Sequence, residues 1–233
     1  MNVPAKDFGP AYYAAHAAEL GWGVDSAPDP QKLAFLRAEI RGERVLDVAC
    51  GSGVYAEALA GDGRRVVGVD FTAALLRAGR ARGGGLIGAC ASARSLPFRD
   101  RSFETTLLLS VLEHDDDRVL LREAARVARH RVILQVPLAE PAFLARAGLL
   151  FSHWSDRSHL RTYSPAALEA LVTGCGLRLV RFSPVYPRDV TDLYVSALQV
   201  GPVVRTLVRA ALKPLKRYVA AAPAECFAVA ERP

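Results

Sequence analysis

The chain has 233 residues, 51% hydrophobic and 23% charged, an ordinary globular composition that excludes intrinsic disorder and leaves room for one generous core. No apolar run approaches the ~18 residues of a bilayer span, and the N-terminus carries Lys6 and Asp7 in place of a signal-peptide core. The net charge of +6 is local: residues 196–224 hold Arg205, Arg209, Lys213, Lys216 and Arg217 without an acid, so a nucleic-acid-binding composition is not expected.

Residues 1–43 read as helical, with Tyr12, Tyr13, Leu20, Leu33, Phe35 and Leu36 as candidates for burial. From there strands and helices alternate. The strands predicted are Arg44–Ala49, Arg65–Asp70, Leu86–Ala89, Phe103–Leu109, Arg131–Pro137, Leu177–Ser183 and Ala224–Glu231. The helices between them are Tyr55–Gly61, Thr72–Arg82, Asp116–Ala128 and Pro165–Thr173. Continuous Val/Leu/Ile runs in the middle strands point to a sheet covered on both faces, and alternation implies parallel strands with right-handed crossovers. Residues 185–223 interrupt the pattern with a connection of about forty residues, far beyond the usual ~4–6. The expected organisation is one α/β domain: a helical cap over 1–43, a core of 44–184 and 224–233, and an insertion over 185–223.

The sharpest signal is Val45-Leu46-Asp47-Val48-Ala49-Cys50-Gly51-Ser52-Gly53, a buried strand running through small residues into a helix. Gly51 and Gly53 let the backbone turn tightly and approach a ligand without a Cβ in the way, beside the free N–H groups of the next helix. About twenty residues on, the second strand ends at Asp70, whose carboxylate can accept from both hydroxyls of a ribose. Two cofactors use such a site. Gly51-Ser52-Gly53-Val54-Tyr55-Ala56 also fits the G-x-G-x-x-A form of the dinucleotide fingerprint, so an NAD(P)-dependent oxidoreductase stays open. Asp47 argues for a cationic ligand, because a carboxylate so close to the loop opposes a pyrophosphate.

Leu46–Gly53 resembles the cofactor loop of class I S-adenosylmethionine-dependent methyltransferases, and the resemblance continues. Val67-Gly68-Val69-Asp70, Leu96-Pro97-Phe98-Arg99-Asp100-Arg101-Ser102-Phe103-Glu104, Val111-Leu112-Glu113-His114, Leu121–Val127 and His159–Ser164 are similar to later segments of that family. It implies a Rossmann-like, seven-stranded, mostly parallel sheet with helices on both faces and the last strand antiparallel. It also implies S-adenosyl-L-methionine as cofactor and methyl transfer to a small organic acceptor, most simply at oxygen. Asp47, Ala49, Gly51, Gly53, Asp70, Phe71, Ser92, Ala93 and Ser110 would bind the cofactor. Asp47 would lie by its methionine part, Asp70 on its ribose, Phe71 on the adenine face, and Ser92 and Ala93 on the adenine edge. The chain departs from the family pattern at Ala49, where a glycine is usual, and at Ser92, where an acid is usual. Those departures leave a catalytically silent cofactor-binding protein as an alternative.

Methyl transfer needs alignment more than acid–base chemistry. His114, His153 and His159 are the histidines expected at the cleft, with His114 and His159 the catalytic candidates. Asp115-Asp116-Asp117 is read as favouring a helix N-terminus and not as a metal site. Residues 203–219 form a basic amphipathic stretch. It suits an anionic substrate or an anionic membrane surface, and it lacks the interleaved aromatics of single-stranded nucleic-acid binders. Four scattered cysteines without a C-x-x-C pair suit a reducing, cytoplasmic setting.

Overall fold

The structure is a computed structural model that describes residues 8–17, 27–139, 158–185, 201–212 and 225–233. Two short helices, α1 (Pro10–His16) and α2 (Pro30–Glu39), precede the sheet. Proline opens both, which suits the first helical turn, and Asp29 caps α2 by accepting from Gln31 N and Lys32 N. There follow β1 (Arg44–Val48), α3 (Val54–Gly61), β2 (Arg65–Asp70), α4 (Ala73–Ala81), β3 (Gly88–Cys90) and β4 (Phe103–Leu109). A single 3₁₀ turn, Leu112–His114, leads to α5 (Asp117–Val127) and β5 (Ala128–Pro137). The described elements end with α6 (Pro165–Gly174), β6 (Arg178–Val185), α7 (Pro202–Leu212) and β7 (Glu225–Glu231).

The strands form one seven-stranded sheet in the order β3-β2-β1-β4-β5-β7-β6. β1 pairs in parallel with β2 and β4, β2 with β3, and β4 with β5; β7 runs antiparallel to both β5 and β6. The antiparallel last strand is as the family resemblance implied.

Alternate residues of each strand face opposite layers. Leu46, Leu108, Leu134 and Ala228 pack with Leu120, Leu121 and Ala124 of α5 and Leu168, Leu171 and Val172 of α6. Val45, Leu107, Ile133 and Phe227 pack with Leu33 and Leu36 of α2 and Leu59 of α3. Both faces are dry, which is why these strands read as unbroken apolar runs.

Several bounds differ from the sequence reading. β3 starts at Gly88, because Leu86 turns inward with the core and does not join the ladder. β5 starts three residues early, at Ala128, where Ala128 pairs with Phe103. Thr72, Asp116 and Ala128 are caps and not helical residues. Leu20, Ala224 and residues 213–219 lie outside the described residues.

At the end of the sheet away from the strand tips, Arg131 is buried and ties three elements together. Its guanidinium donates to the Glu39 carbonyl at 2.8 Å, to Glu39 Oε2 at 2.9 Å, and through Nε to Glu231 Oε1 at 3.0 Å. A buried guanidinium is tolerable only with partners of this kind.

Candidate active site

The chain leaves β1, first builds β2 and β3 on one side, and then crosses back to place β4 on the other. β1 and β4 therefore straddle the point where strand order reverses, and a crevice opens at their carboxyl ends. The loop 49–53, Asp70–Phe71, Ser92–Ala93, Ser110 and His114 all follow carboxyl ends of parallel strands. The topology thus brings the predicted cofactor residues to one end of the sheet.

The loop is held from both sides. Cys50 N donates to Val69 O, Gly53 N to Cys50 O, and Gly51 N to Asp70 Oδ2, at 2.9, 2.9 and 2.8 Å. From below, Arg82 donates to the Ser52 carbonyl at 2.7 Å and to Glu57 Oε2 at 2.9 Å. Ala49, Gly51 and Gly53 have φ of 57°, 57° and 77°. Glycine adopts that left-handed conformation freely, whereas alanine is strained there by about 1–2 kcal/mol. Ala49 thus keeps the loop shape that the usual glycine gives, at a cost in strain. A Cβ on Gly51 would meet only Leu75 Cδ1, at 4.0 Å, so the cradle is open on that side.

Asp47 is 3% exposed and its carboxylate makes no hydrogen bond among the described residues. Burial, and then the neighbouring Asp70, push it up to about 7. A backbone-capped structural acid would have its N–H partners; this one has a like charge beside it. An unneutralised carboxylate under an open glycine cradle fits the cationic methionine end of an S-adenosylmethionine-type ligand.

Asp70 is buried too. Its Oδ2 accepts from Gly51 N, and its Oδ1 accepts from Thr72 N at 2.7 Å. Desolvation raises it, opposed by those two backbone donors. The side chain is therefore a brace for the loop as well as a ribose candidate, with lone pairs left over on both oxygens. Phe71, 40% exposed, extends from the same tip, and its ring lies 5.6 Å from that of Tyr13 on α1. Ser92 Oγ accepts from Arg94 N at 3.2 Å within its own turn and keeps a second lone pair, while Ala93 packs against the core. Ser110 is exposed with φ 52°, and its N–H donates to Gln135 O at 2.9 Å.

His114 closes the 3₁₀ turn after β4. Its ring is 5.9 Å from Tyr13 and 4.7 Å from His159, and its Nδ1 is 2.9 Å from Ser158 Oγ. The two histidines, distant in sequence, thus meet. Tyr13 stands between Phe71 and His114, so α1 spans the mouth from the β2 tip to the β4 tip. His153 lies outside the described residues. The three consecutive acids are each engaged by protein. Asp115 pairs with Arg94, Asp116 caps α5 through Arg118 N and Val119 N, and Asp117 accepts from Tyr163 and Arg161.

Tyr13, Glu113 and Gly79 were not singled out from sequence. Tyr13 counted only as a burial candidate. Glu113 was visible beside His114 but had no partner in sequence. Gly79 lies inside α4. It is the point where α4 touches the loop: a Cβ there would press into the Ser52 carbonyl and lie 2.9 Å from Leu86 Cδ2. Glycine-to-alanine in a helix normally stabilises by up to about 1 kcal/mol. Here Gly79→Ala is expected to destabilise by about 2 kcal/mol through overpacking. Urea unfolding followed by circular dichroism checks the sign.

Residues 46–135 match the family described as a methyltransferase domain. The demethylmenaquinone methyltransferase of Corynebacterium urealyticum is 42% identical over 89 residues, covering 38% of this chain and 38% of that protein. The ubiquinone biosynthesis O-methyltransferase of Hahella chejuensis is 34% identical over 115 residues, 43% of this chain and 46% of that one. The chain thus spans less than half the length of these relatives. Among solved structures, magnesium protoporphyrin IX methyltransferase from Synechocystis with bound SAH has TM-score 0.65 and 15% identity over 96% of this chain and 98% of that one. The [4+2]-cyclase SpnF has TM-score 0.64 and 16% identity over 96% of this chain and 94% of that one. Residues 46–135 thus match a methyltransferase domain, and the chain shares its overall fold with solved methyltransferases.

Proposed function

We propose that the protein transfers a methyl group from S-adenosylmethionine to an oxygen of a small organic acceptor. The observation that carries the reading is Asp47: a buried, unneutralised carboxylate beneath an open glycine loop, in the segment that matches a methyltransferase domain. When bound, the cofactor supplies a methyl group on a positively charged sulfur. Asp47 then faces its cationic end, the loop amides and Gly51 cradle it, and Asp70 accepts from the ribose hydroxyls while holding the loop. Phe71 and Tyr13 offer ring faces at the β2 tip. His114 and His159 receive the acceptor at the β4 tip. A pyrophosphate cofactor is disfavoured by the same Asp47–Asp70 pair, which opposes a second negative group.

Two curated relatives act, by their names, on demethylmenaquinone and in ubiquinone biosynthesis. That supports an acceptor of the hydroxylated aromatic or quinone class. α7 supports contact with an anionic substrate or membrane surface through residues 203–219. Val203, Val204 and Leu207 are exposed on it alongside Arg205, and no described helix is long and apolar enough to cross a membrane. A reducing, cytoplasmic setting suits the free cysteines. The fold alone does not establish the reaction, since a cyclase shares it.

The test is calorimetric titration with S-adenosylhomocysteine and with NADH, followed by turnover of labelled S-adenosylmethionine against a panel of phenolic and quinol acceptors. Binding of S-adenosylhomocysteine alone and methylation of at least one acceptor are expected. Binding of NADH alone overturns the assignment. Cofactor binding with no turnover across the panel returns the reading to a catalytically silent binding protein.

A further inference from the structure

Glu113, His114 and His159 each contribute one ligand atom to a cluster in which all three lie within 4.8 Å of one another. We propose that this cluster is a divalent transition-metal site that holds the acceptor oxygen; the acceptor role rests on the methyl-transfer reading above, the metal site does not.

Three observations carry it. First, the donor set is two imidazoles and a carboxylate, the combination that binds zinc-class ions while leaving positions open for substrate. Ligands of one such ion stand about 3–4 Å apart, so a small inward rotation of the side chains completes the shell.

Second, the cluster is braced. Leu160 N donates to Glu113 O at 2.8 Å, Tyr163 Oη to Leu112 O at 3.2 Å, and Tyr163 N to Pro137 O at 2.9 Å. These bonds lay the segment 158–163 alongside the 3₁₀ turn and bring His159 to the pair from β4. Ser158, fully buried, engages His114 Nδ1 at 2.9 Å and so fixes the orientation of the ring. An imidazole oriented through its far nitrogen is the usual second layer around a metal.

Third, the cluster follows the carboxyl end of β4, across the crevice mouth from the cofactor candidates at the β2 tip. Tyr13 on α1 separates it from the β2 tip, its ring 5.9 Å from His114 and 5.6 Å from Phe71.

A Lewis acid there lowers the pKa of a bound hydroxyl. The hydroxyl proton passes to solvent, and an oxygen lone pair forms the new O–CH₃ bond as the S–CH₃ bond of S-adenosylmethionine breaks. The electron pair of that bond goes to sulfur, which becomes a neutral thioether.

The test titrates Co²⁺ into the full-length, chelator-treated protein, read by visible d–d absorption and by calorimetry, with S-adenosylhomocysteine affinity measured in parallel. One Co²⁺ per chain is expected. Ser158→Ala should bind it about 10- to 100-fold more weakly, and Glu113→Gln and His159→Ala more weakly still. All three should keep S-adenosylhomocysteine affinity within about twofold, which also reports that they fold. No Co²⁺ uptake by wild type, or equal uptake by His159→Ala, overturns the site and leaves the two histidines as metal-free groups. If wild type takes up Co²⁺ but not S-adenosylhomocysteine, the metal site stands and the cofactor reading falls.

Discussion

Asp47→Asn is expected to raise the melting temperature of the ligand-free protein at pH 8 by about 4–8 °C and at the same time to weaken S-adenosylhomocysteine binding about 10- to 100-fold. The two effects have one cause. A carboxylate that is 3% exposed, beside Asp70 and without a hydrogen-bond donor among the described residues, destabilises the fold when ionised. The same charge attracts the ligand's ammonium group. The folded value of about 7 lies above the unfolded value of 3.8, so the native state keeps a proton that the unfolded chain has lost between those limits. Stability from this group therefore falls as pH rises from about 4 to 7 and is flat above.

Cation binding needs the ionised form and reverses the dependence. Affinity should climb by up to about tenfold per pH unit below pH 7 and level off above it. Thermal melts and calorimetry of wild type and Asp47→Asn from pH 5.5 to 8 measure both slopes. A wild-type affinity independent of pH across that range would remove Asp47 from the cationic end of the site.

Asp70→Ala should lower apo stability by about 3 kcal/mol or more, because it orphans the Gly51 and Thr72 N–H groups, each of which now gives a charge-assisted bond. In a chain of this size that is a fall of about 6–12 °C in melting temperature. S-adenosylhomocysteine affinity should drop by about 100-fold or more, from loss of the ribose acceptor and of loop shape together. The two contributions separate in Asp70→Asn, whose amide oxygen can still serve one backbone donor: stability should recover in part. A melting temperature unchanged by Asp70→Ala would mean that the loop is braced elsewhere.

Much of the crevice was legible from local pattern. The run Val45–Gly53 carries its own explanation: an apolar strand, small residues, then a helix, with Asp70 at the next strand tip. The helix start at Pro165 was equally readable, because the Ser164 cap is a contact over three residues; Asp116, read as the first helical residue, is instead the cap of α5. The limits of β3 and β5 were not readable, since Leu86 leaves the ladder to fill space under Gly53 and Ala128 joins it to meet Phe103. Ser92 shows what residue type leaves out. Its residue type suited an acceptor; the structure adds that the hydroxyl oxygen also accepts within its own turn, leaving a second lone pair and the O–H.

The amino-acid order alone determined the α/β alternation, the doubly covered sheet and the cofactor loop, because hydrophobic period, glycine φ and capping act between residues a few positions apart. Only the tertiary structure decided which distant groups meet. It left Asp47 without a donor among the described residues, made Asp70 a brace, and set Gly79 against the Ser52 carbonyl. It also placed Tyr13 over the crevice mouth and joined His159 to Glu113 and His114. Each of these is a contact between segments separated by tens of residues, set by packing on the sheet, and no local pattern in the chain encodes it.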